Sequence, residues 1–162
     1  ACVAAAALGA SARALADGLK SFPGVAHRLE PAGSAGGVRF VNDSKATNVD
    51  SLEKALRSFP ERVVLIAGGR DKNLDFGKVR ELVSARTRAV VLIGEAADKI
   101  EASWRGAVAI ERAATLDDAV ARAQALAAPG GLVLLSPGCA SFDMFRDYAD
   151  RGRQFKALVE AL

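Results

Sequence analysis

The side chains from which catalytic arrays are usually assembled are scarce in this sequence. It has one histidine, His27, and two cysteines, Cys2 and Cys139, far apart. Two distant cysteines are no disulfide framework, and a reducing compartment is the easier reading. Together with His27 they lack the spacing of zinc ligands. No G-x-S-x-G elbow occurs and the lone histidine is far upstream of the serine-rich C-terminal turn, which excludes a conventional hydrolase triad. G-x-x-x-x-G-K-[ST] and G-x-G-x-x-G are absent as well, so neither common phosphate-binding fingerprint is present. No uncharged apolar run reaches eighteen residues, and no transmembrane helix is expected. The net charge of +3 is small and the basic residues are scattered, which argues against a nucleic-acid surface.

What remains is an ordinary soluble composition, 51% hydrophobic and 25% charged, on 162 residues, enough for one domain with a proper core. The apolar run at the N-terminus, Cys2 to Leu8, has no basic flank before it. It reads as part of a helix whose beginning lies upstream, not as a signal peptide. Ser11 can cap a second helix, ended by Pro23-Gly24. This helical pair has no sheet of its own and is expected to be the tail of a preceding domain, residues 1–24, with the main domain spanning 25–162.

Beyond it, helical and strand patterns alternate. Pro31 to Gly37 reads as a Pro/Gly/Ser loop, and Val38 to Val41 as a short strand. The spacing of Val49, Leu52, Ala55, Leu56 and Phe59 predicts a helix. Val63 to Ile66, Ala89 to Ile93 and Leu132 to Leu135 are continuous apolar runs that suit strands buried on both faces of a parallel sheet. Helices are predicted from about Phe76 to Ala85, over Ala96 to Trp104, and from Thr115, the cap, to Ala127. Val108 to Ile110 is a short strand. Ser141 to Leu162 reads as mostly helical, with a break near Arg151-Gly152. The fold class is therefore α/β, a doubly wound and mainly parallel sheet with helices on both faces.

In such sheets ligands sit outside the carboxyl ends of strands. Three polar clusters leave strand ends here. The densest is Asn42-Asp43-Ser44-Lys45-Ala46-Thr47-Asn48. Lys45 is a point charge for phosphate or carboxylate; Asp43 can accept from a sugar hydroxyl or hold a metal's water; Thr47 and the amides of the helix start can hold an anion. The alternative is that Asp43 or Ser44 simply caps the helix. The second cluster, Gly68 to Lys72, lets backbone approach a ligand and supplies one cation. The third runs from Ser136 to Asp143, with Ser141 and Cys139; a buried structural thiol is the simpler reading of Cys139. The neighbour of His27, Arg28, keeps a phosphate role open. Physical chemistry by itself leads to an α/β domain with a site for a small anionic ligand.

Four stretches taken together are similar to a known family. His27-Arg28-Leu29-Glu30, Val41-Asn42-Asp43-Ser44-Lys45-Ala46-Thr47-Asn48, Ala67-Gly68-Gly69-Arg70-Asp71-Lys72 and Leu135-Ser136-Pro137-Gly138-Cys139-Ala140-Ser141-Phe142-Asp143-Met144-Phe145 resemble, in order, the Rossmann-like C-terminal domain of the Mur ligase family, and in particular its D-glutamate-adding members. The resemblance implies an ATP- and magnesium-dependent cytoplasmic reaction in peptidoglycan precursor synthesis. The carboxylate of UDP-N-acetylmuramoyl-L-alanine is phosphorylated, and the amine of D-glutamate attacks the acyl phosphate.

Carried over by motif, the resemblance makes Lys72 the cation for a D-glutamate carboxylate, with Thr47, Ser141 and the amide of Phe142 as its hydrogen-bonding partners and Tyr148 beside the amino acid. Arg28 and Asp43 become ATP contacts, Asp43 to the ribose. Lys45 faces the phosphates or the developing tetrahedral charge as the catalytic cation. No metal ligand is assigned, since magnesium is expected on the family's central domain.

Two departures stand out. Asn73 occupies the place where the family usually has glycine after the lysine, so an altered turn is expected. The P-loop, the magnesium-site lysine and the UDP-binding domain are not in these residues, so a monomeric fragment inactive by itself and reliant on the N-terminal and central domains is expected. Another Mur or folylpolyglutamate-type ligase is the same-family alternative, disfavoured by Lys45-Ala46-Thr47. A non-catalytic nucleotide-binding module is the alternative from another class.

Overall fold

The computed structural model describes residues 1–127 and 129–162. Two short helices come first, α1 (Cys2–Ala7) and α2 (Ala12–Ser21), and Ser11 caps the second by accepting from the Ala14 amide at 3.2 Å. Neither helix buries a residue. The remainder is β1 (Glu30–Ala35), β2 (Val38–Asn42), α3 (Val49–Arg57), β3 (Val63–Gly68), α4 (Arg80–Arg86) after a 3-10 turn at Phe76–Val79, β4 (Thr87–Ile93), α5 (Ala97–Trp104), β5 (Ala109–Arg112), α6 (Leu116–Ala127), β6 (Leu132–Leu135) and α7 (Tyr148–Glu160). The six strands form one sheet in the order β1-β2-β6-β3-β4-β5, parallel throughout except for the antiparallel edge pair β1–β2. No helix among the described residues is long and apolar enough to cross a membrane.

The continuous apolar runs do become the central strands, and their two-residue alternation divides the core. Leu65, Val90, Leu92 and Leu134 face α3, α4 and α5, meeting Leu52, Val83, Ile100 and Trp104. Val64, Ile66, Val91, Val133 and Leu135 face α6 and α7, meeting Leu116, Val120, Phe155 and Val159. Each of these fully buried side chains contributes about 2 kcal/mol of transfer free energy. Trp104, wholly buried, has its indole N–H donating to the Phe76 carbonyl at 2.9 Å.

Three sequence expectations fail. The stretch from Pro31 to Gly37 is no loop: Glu30–Ala35 is an edge strand turning back on β2 through Gly36-Gly37, with an irregularity between Pro31 and Gly33. An edge strand tolerates proline because only one side of its backbone must pair, and α7 covers it, with Val159 against Gly33. The C-terminal helix is also unbroken at Arg151-Gly152. Glycine is required there by space, since a Cβ on Gly152 would lie 2.2 Å from His27 Nδ1. The segment 141–147 before that helix is turn, not helix.

Candidate functional site

Strands β2, β6 and β3 lie side by side, so the three polar clusters leave the sheet next to one another. Their backbones are stitched together. The Asp43 amide donates to the Leu135 carbonyl at 2.8 Å, Gly138 to Ala46 at 2.9 Å, Gly68 to Pro137 at 2.9 Å and Arg70 to Ala140 at 2.8 Å. The Gly68-Gly69 pair serves this knitting and not an open approach to a ligand. A Cβ at Gly68 would lie 2.0 Å from the Ile93 carbonyl oxygen, and one at Gly69 would lie 2.3 Å from that of Ala140. Both glycines have the positive φ that such close passage demands.

The turn from Asn42 to Asn48 is just as fully tied. The amides of Asp43, Ser44, Lys45 and Ala46 all donate within the protein, the last three to Asn42 Oδ1, the His27 carbonyl and the Asp43 carbonyl. They hold no anion. Helix α3 starts only at Val49 and is capped by Asn48, which accepts from the Ser51 amide at 2.8 Å; neither Asp43 nor Ser44 caps it. Asp43 is instead a buried carboxylate whose Oδ1 accepts from the Leu29 amide at 3.3 Å and whose Oδ2 accepts from the Ser136 hydroxyl at 2.8 Å. Burial pushes its carboxyl above the usual range, although Ser136, the Leu29 amide and Arg28 pull the other way.

The segment carrying Arg28 is set by a network around Asn42. The amide oxygen of Asn42 accepts from Ser44, which orients Nδ2 toward His27 Nδ1 at 3.1 Å and Glu30 Oε2 at 3.0 Å. His27 Nδ1 thus faces the Asn42 amide N–H. His27 and Leu29 both adopt positive φ, 64° and 45°, and Glu30 holds the bend by accepting from the His27 amide at 2.9 Å. Burial pushes Glu30 up, but Lys156, 2.7 Å from Oε1, and the His27 amide outweigh it and keep the carboxyl below its ordinary value.

Arg28, Asp43 and Lys45 come together as expected, lining a cleft of about 280 Å³. The same cleft takes in Ser51 and Lys54 from α3 and Ser58 just past its end, which the sequence pattern had left undifferentiated. The Lys45 ammonium donates to Tyr148 Oη at 2.8 Å and stands 4.1 Å from that ring's centroid, so Tyr148 packs directly on the cleft's cation. His27 meets the same ring edge-on, with centroids 5.9 Å apart.

The other expected residues sit on the neighbouring loops. Thr47 is half-buried, Ser141 buried, Phe142 exposed and Lys72 exposed. No hydrogen bond or ion pair links Lys72 to Thr47 or Ser141 among the described residues. After Lys72, Asn73 adopts a left-handed φ of 59°, a conformation open to glycine and tolerated by asparagine better than by most residues. Cys139 is fully buried, and burial pushes its thiol up to about 12, so it is not a nucleophile.

One central residue escaped the sequence reading. Arg151 is wholly buried beneath the three loops. Its Nε donates to Ser44 Oγ at 2.9 Å, its Nη2 to the Ser44 carbonyl at 2.9 Å and to the Cys139 carbonyl at 3.1 Å. Burial lowers its pKa to about 10. No carboxylate pairs with it directly among the described residues, so it is a buried cation held by neutral oxygens at the strand ends. The signal for it was its spacing. Tyr148, Arg151, Phe155 and Val159 recur at three and four along α7, a stripe on which an arginine must be buried.

The chain matches the family model described as "Mur ligase, glutamate ligase domain" over residues 27–139. Among curated proteins it is 48% identical over 159 residues to the UDP-N-acetylmuramoylalanine–D-glutamate ligase of Chlorobium phaeobacteroides, covering 98% of this chain and 34% of that protein. It is 51% identical to the protein of that name from Acidobacterium capsulatum, covering 94% and 33%. The chain thus spans about a third of the length of these relatives. Among solved structures it resembles a pseudomurein peptide ligase type C from Methanothermus fervidus, with a TM-score of 0.70, 14% identity, and 99% of this chain and 34% of that one covered. It also resembles the Mycobacterium tuberculosis folylpolyglutamate synthase complexed with ADP, with a TM-score of 0.63, 15% identity, and coverage of 93% and 36%. At these identities the structural likenesses speak for the fold.

Proposed function

The chain belongs to the Mur ligase family as its glutamate ligase domain, and from that premise we propose that it is the amino-acid-adding domain of an ATP-dependent ligase that joins D-glutamate to UDP-N-acetylmuramoyl-L-alanine. The observation that carries the proposal is the meeting of Arg28, Asp43 and Lys45 in one cleft at the strand ends, beside the loops that bear Lys72 and Ser141. A recessed carboxylate among cations fits a nucleotide, because the carboxylate can accept from ribose hydroxyls while the cations meet phosphate. The family name borne by the curated relatives supplies D-glutamate as the amino acid.

In this reading Asp43 holds the ribose and Arg28 the phosphates. Lys45, supported by Tyr148, offers its charge to the anion that develops as the amine attacks. Lys72 pairs with a carboxylate of D-glutamate, Thr47, Ser141 and the Phe142 amide fix the amino acid's orientation, and Tyr148 flanks it. The donor set here does not suit magnesium, since no group of three His, Cys, Asp or Glu side chains converges among the described residues. The ion and the acyl donor, UDP-N-acetylmuramoyl-L-alanine, would be held by the other two thirds of the protein, in the cytoplasm, with the ligase acting as a monomer.

Residues 1–24 form the tail of the central domain in this scheme. The apolar face of α1 and α2, with Leu19 and Phe22 exposed, would be covered there. The 162 residues by themselves would have no ligase activity. The test is kinetic, in the full-length protein. Lys72→Ala and Thr47→Ala should raise the apparent constant for D-glutamate while leaving that for ATP, and Asp43→Ala should do the reverse. Unchanged constants in all three would remove the site assignment.

A further inference from the structure

We infer that Lys99 is a positioning residue for amino-acid binding, acting through the loop that carries Lys72. The inference rests on the proposed role of Lys72 as the cation for a D-glutamate carboxylate.

The loop between β3 and the Phe76–Val79 turn leaves Lys72 exposed and without a hydrogen bond or ion pair among the described residues. A cation so placed can serve a ligand only if its backbone is held. Residues on both sides of it are held from α5. Lys99 Nζ donates to Asp71 Oδ2 at 2.9 Å, reaches Asn73 Oδ1 at 3.5 Å and stands 6.0 Å from the centroid of the Phe76 ring. Asp71 closes the turn with its other oxygen, which accepts from the Leu74 amide at 3.2 Å. The hydrogen bond from Lys99 is the chief reason the Asp71 carboxyl lies below its ordinary value. One side chain from a helix outside the three polar clusters therefore gathers Asp71, Asn73 and Phe76. The residue between the first two is Lys72, whose own side chain is left pointing free of the clamp.

Lys99 is also a positive charge, and a cation near an anionic substrate could act by its field alone. The two roles give opposite signs for Asp71. Removing the Asp71 charge makes the neighbourhood more positive, so a field effect would improve D-glutamate binding. Removing it also cuts the clamp, so a positioning effect would weaken binding.

The experiment is steady-state kinetics of full-length wild type, Lys99→Met, Lys99→Arg and Asp71→Asn with D-glutamate varied. The clamp is partly exposed, so its loss is expected to raise KM for D-glutamate roughly three- to tenfold in both Lys99→Met and Asp71→Asn. KM for ATP should stay unchanged, and Lys99→Arg should recover most of the loss. If wild type turns over D-glutamate but Asp71→Asn lowers its KM, or Lys99→Met leaves it unchanged, the positioning role is overturned and the functional reading stands. If wild type shows no D-glutamate turnover, the functional reading fails and this inference falls with it.

Discussion

Replacing Arg151 by methionine removes the buried cation under the three loops. Methionine is close in length and apolar, so it fills the space without a new polar demand. The loss has two opposing parts. Three well-formed hydrogen bonds to Ser44 and Cys139 disappear, and the Ser44 and Cys139 carbonyls are orphaned in a dry site; bonds from a charged donor are worth roughly 1.5–3 kcal/mol each. Against this, a buried charge is removed. Burial pulls the guanidinium down to about 10, which corresponds to about 3 kcal/mol of relief on deletion. The bonds win, and the net loss is about 2–6 kcal/mol. For a chain of this size that lowers Tm by roughly 4–20 °C. Urea unfolding followed by circular dichroism would measure it directly. A methionine variant as stable as wild type, or more stable, would refute the reasoning. It would mean that desolvation of the arginine outweighs its hydrogen bonds, as happens for some buried ion pairs.

Gly152→Ala should destabilise by about 1–3 kcal/mol, because the methyl group's 2.2 Å approach to His27 Nδ1 outweighs the roughly 1 kcal/mol of helix propensity that alanine gains; a stabilised variant in thermal unfolding would contradict this. Asp43→Asn should gain stability on wild type as pH rises. Burial holds the Asp43 carboxyl above its ordinary 3.8, so its contribution is full below that value and is lost as pH rises through the raised one. A Tm difference constant from pH 3.8 to neutrality would count against it. Maleimide labelling near neutral pH should modify exposed Cys2 alone in the native protein and both cysteines in denaturant, since burial pushes Cys139 up to about 12; rapid native labelling of Cys139 would show that its site opens.

The central strands were legible because four- and five-residue apolar runs leave little alternative, and the convergence of three polar strand ends followed from the α/β alternation. The edge strand β1 was not legible. Its Pro, Gly and Ser carry the composition of a loop, and only pairing with β2 and cover from α7 make it a strand. Gly152 was read as a helix break because propensity is a local quantity, whereas its cause is the His27 ring, 125 residues away in sequence. Within the site, Arg28, Asp43 and Lys45, grouped by the resemblance as nucleotide contacts, line one cleft. The identity of the cap was not legible, because four polar residues compete for it and the turn's hydrogen bonds to β6 and His27 decide in favour of Asn48. Asn73, which residue type marked as a departure, adopts a left-handed φ of 59°.

The most direct measurement is amino-acid-dependent phosphate release from ATP by the full-length protein, with UDP-N-acetylmuramoyl-L-alanine as the carboxylate substrate and D-glutamate, L-glutamate, L-lysine and meso-diaminopimelate offered in turn. Release that depends on D-glutamate and yields the corresponding amide is the predicted result. Release supported by another amino acid and not by D-glutamate, or by none of them, would contradict the proposed function.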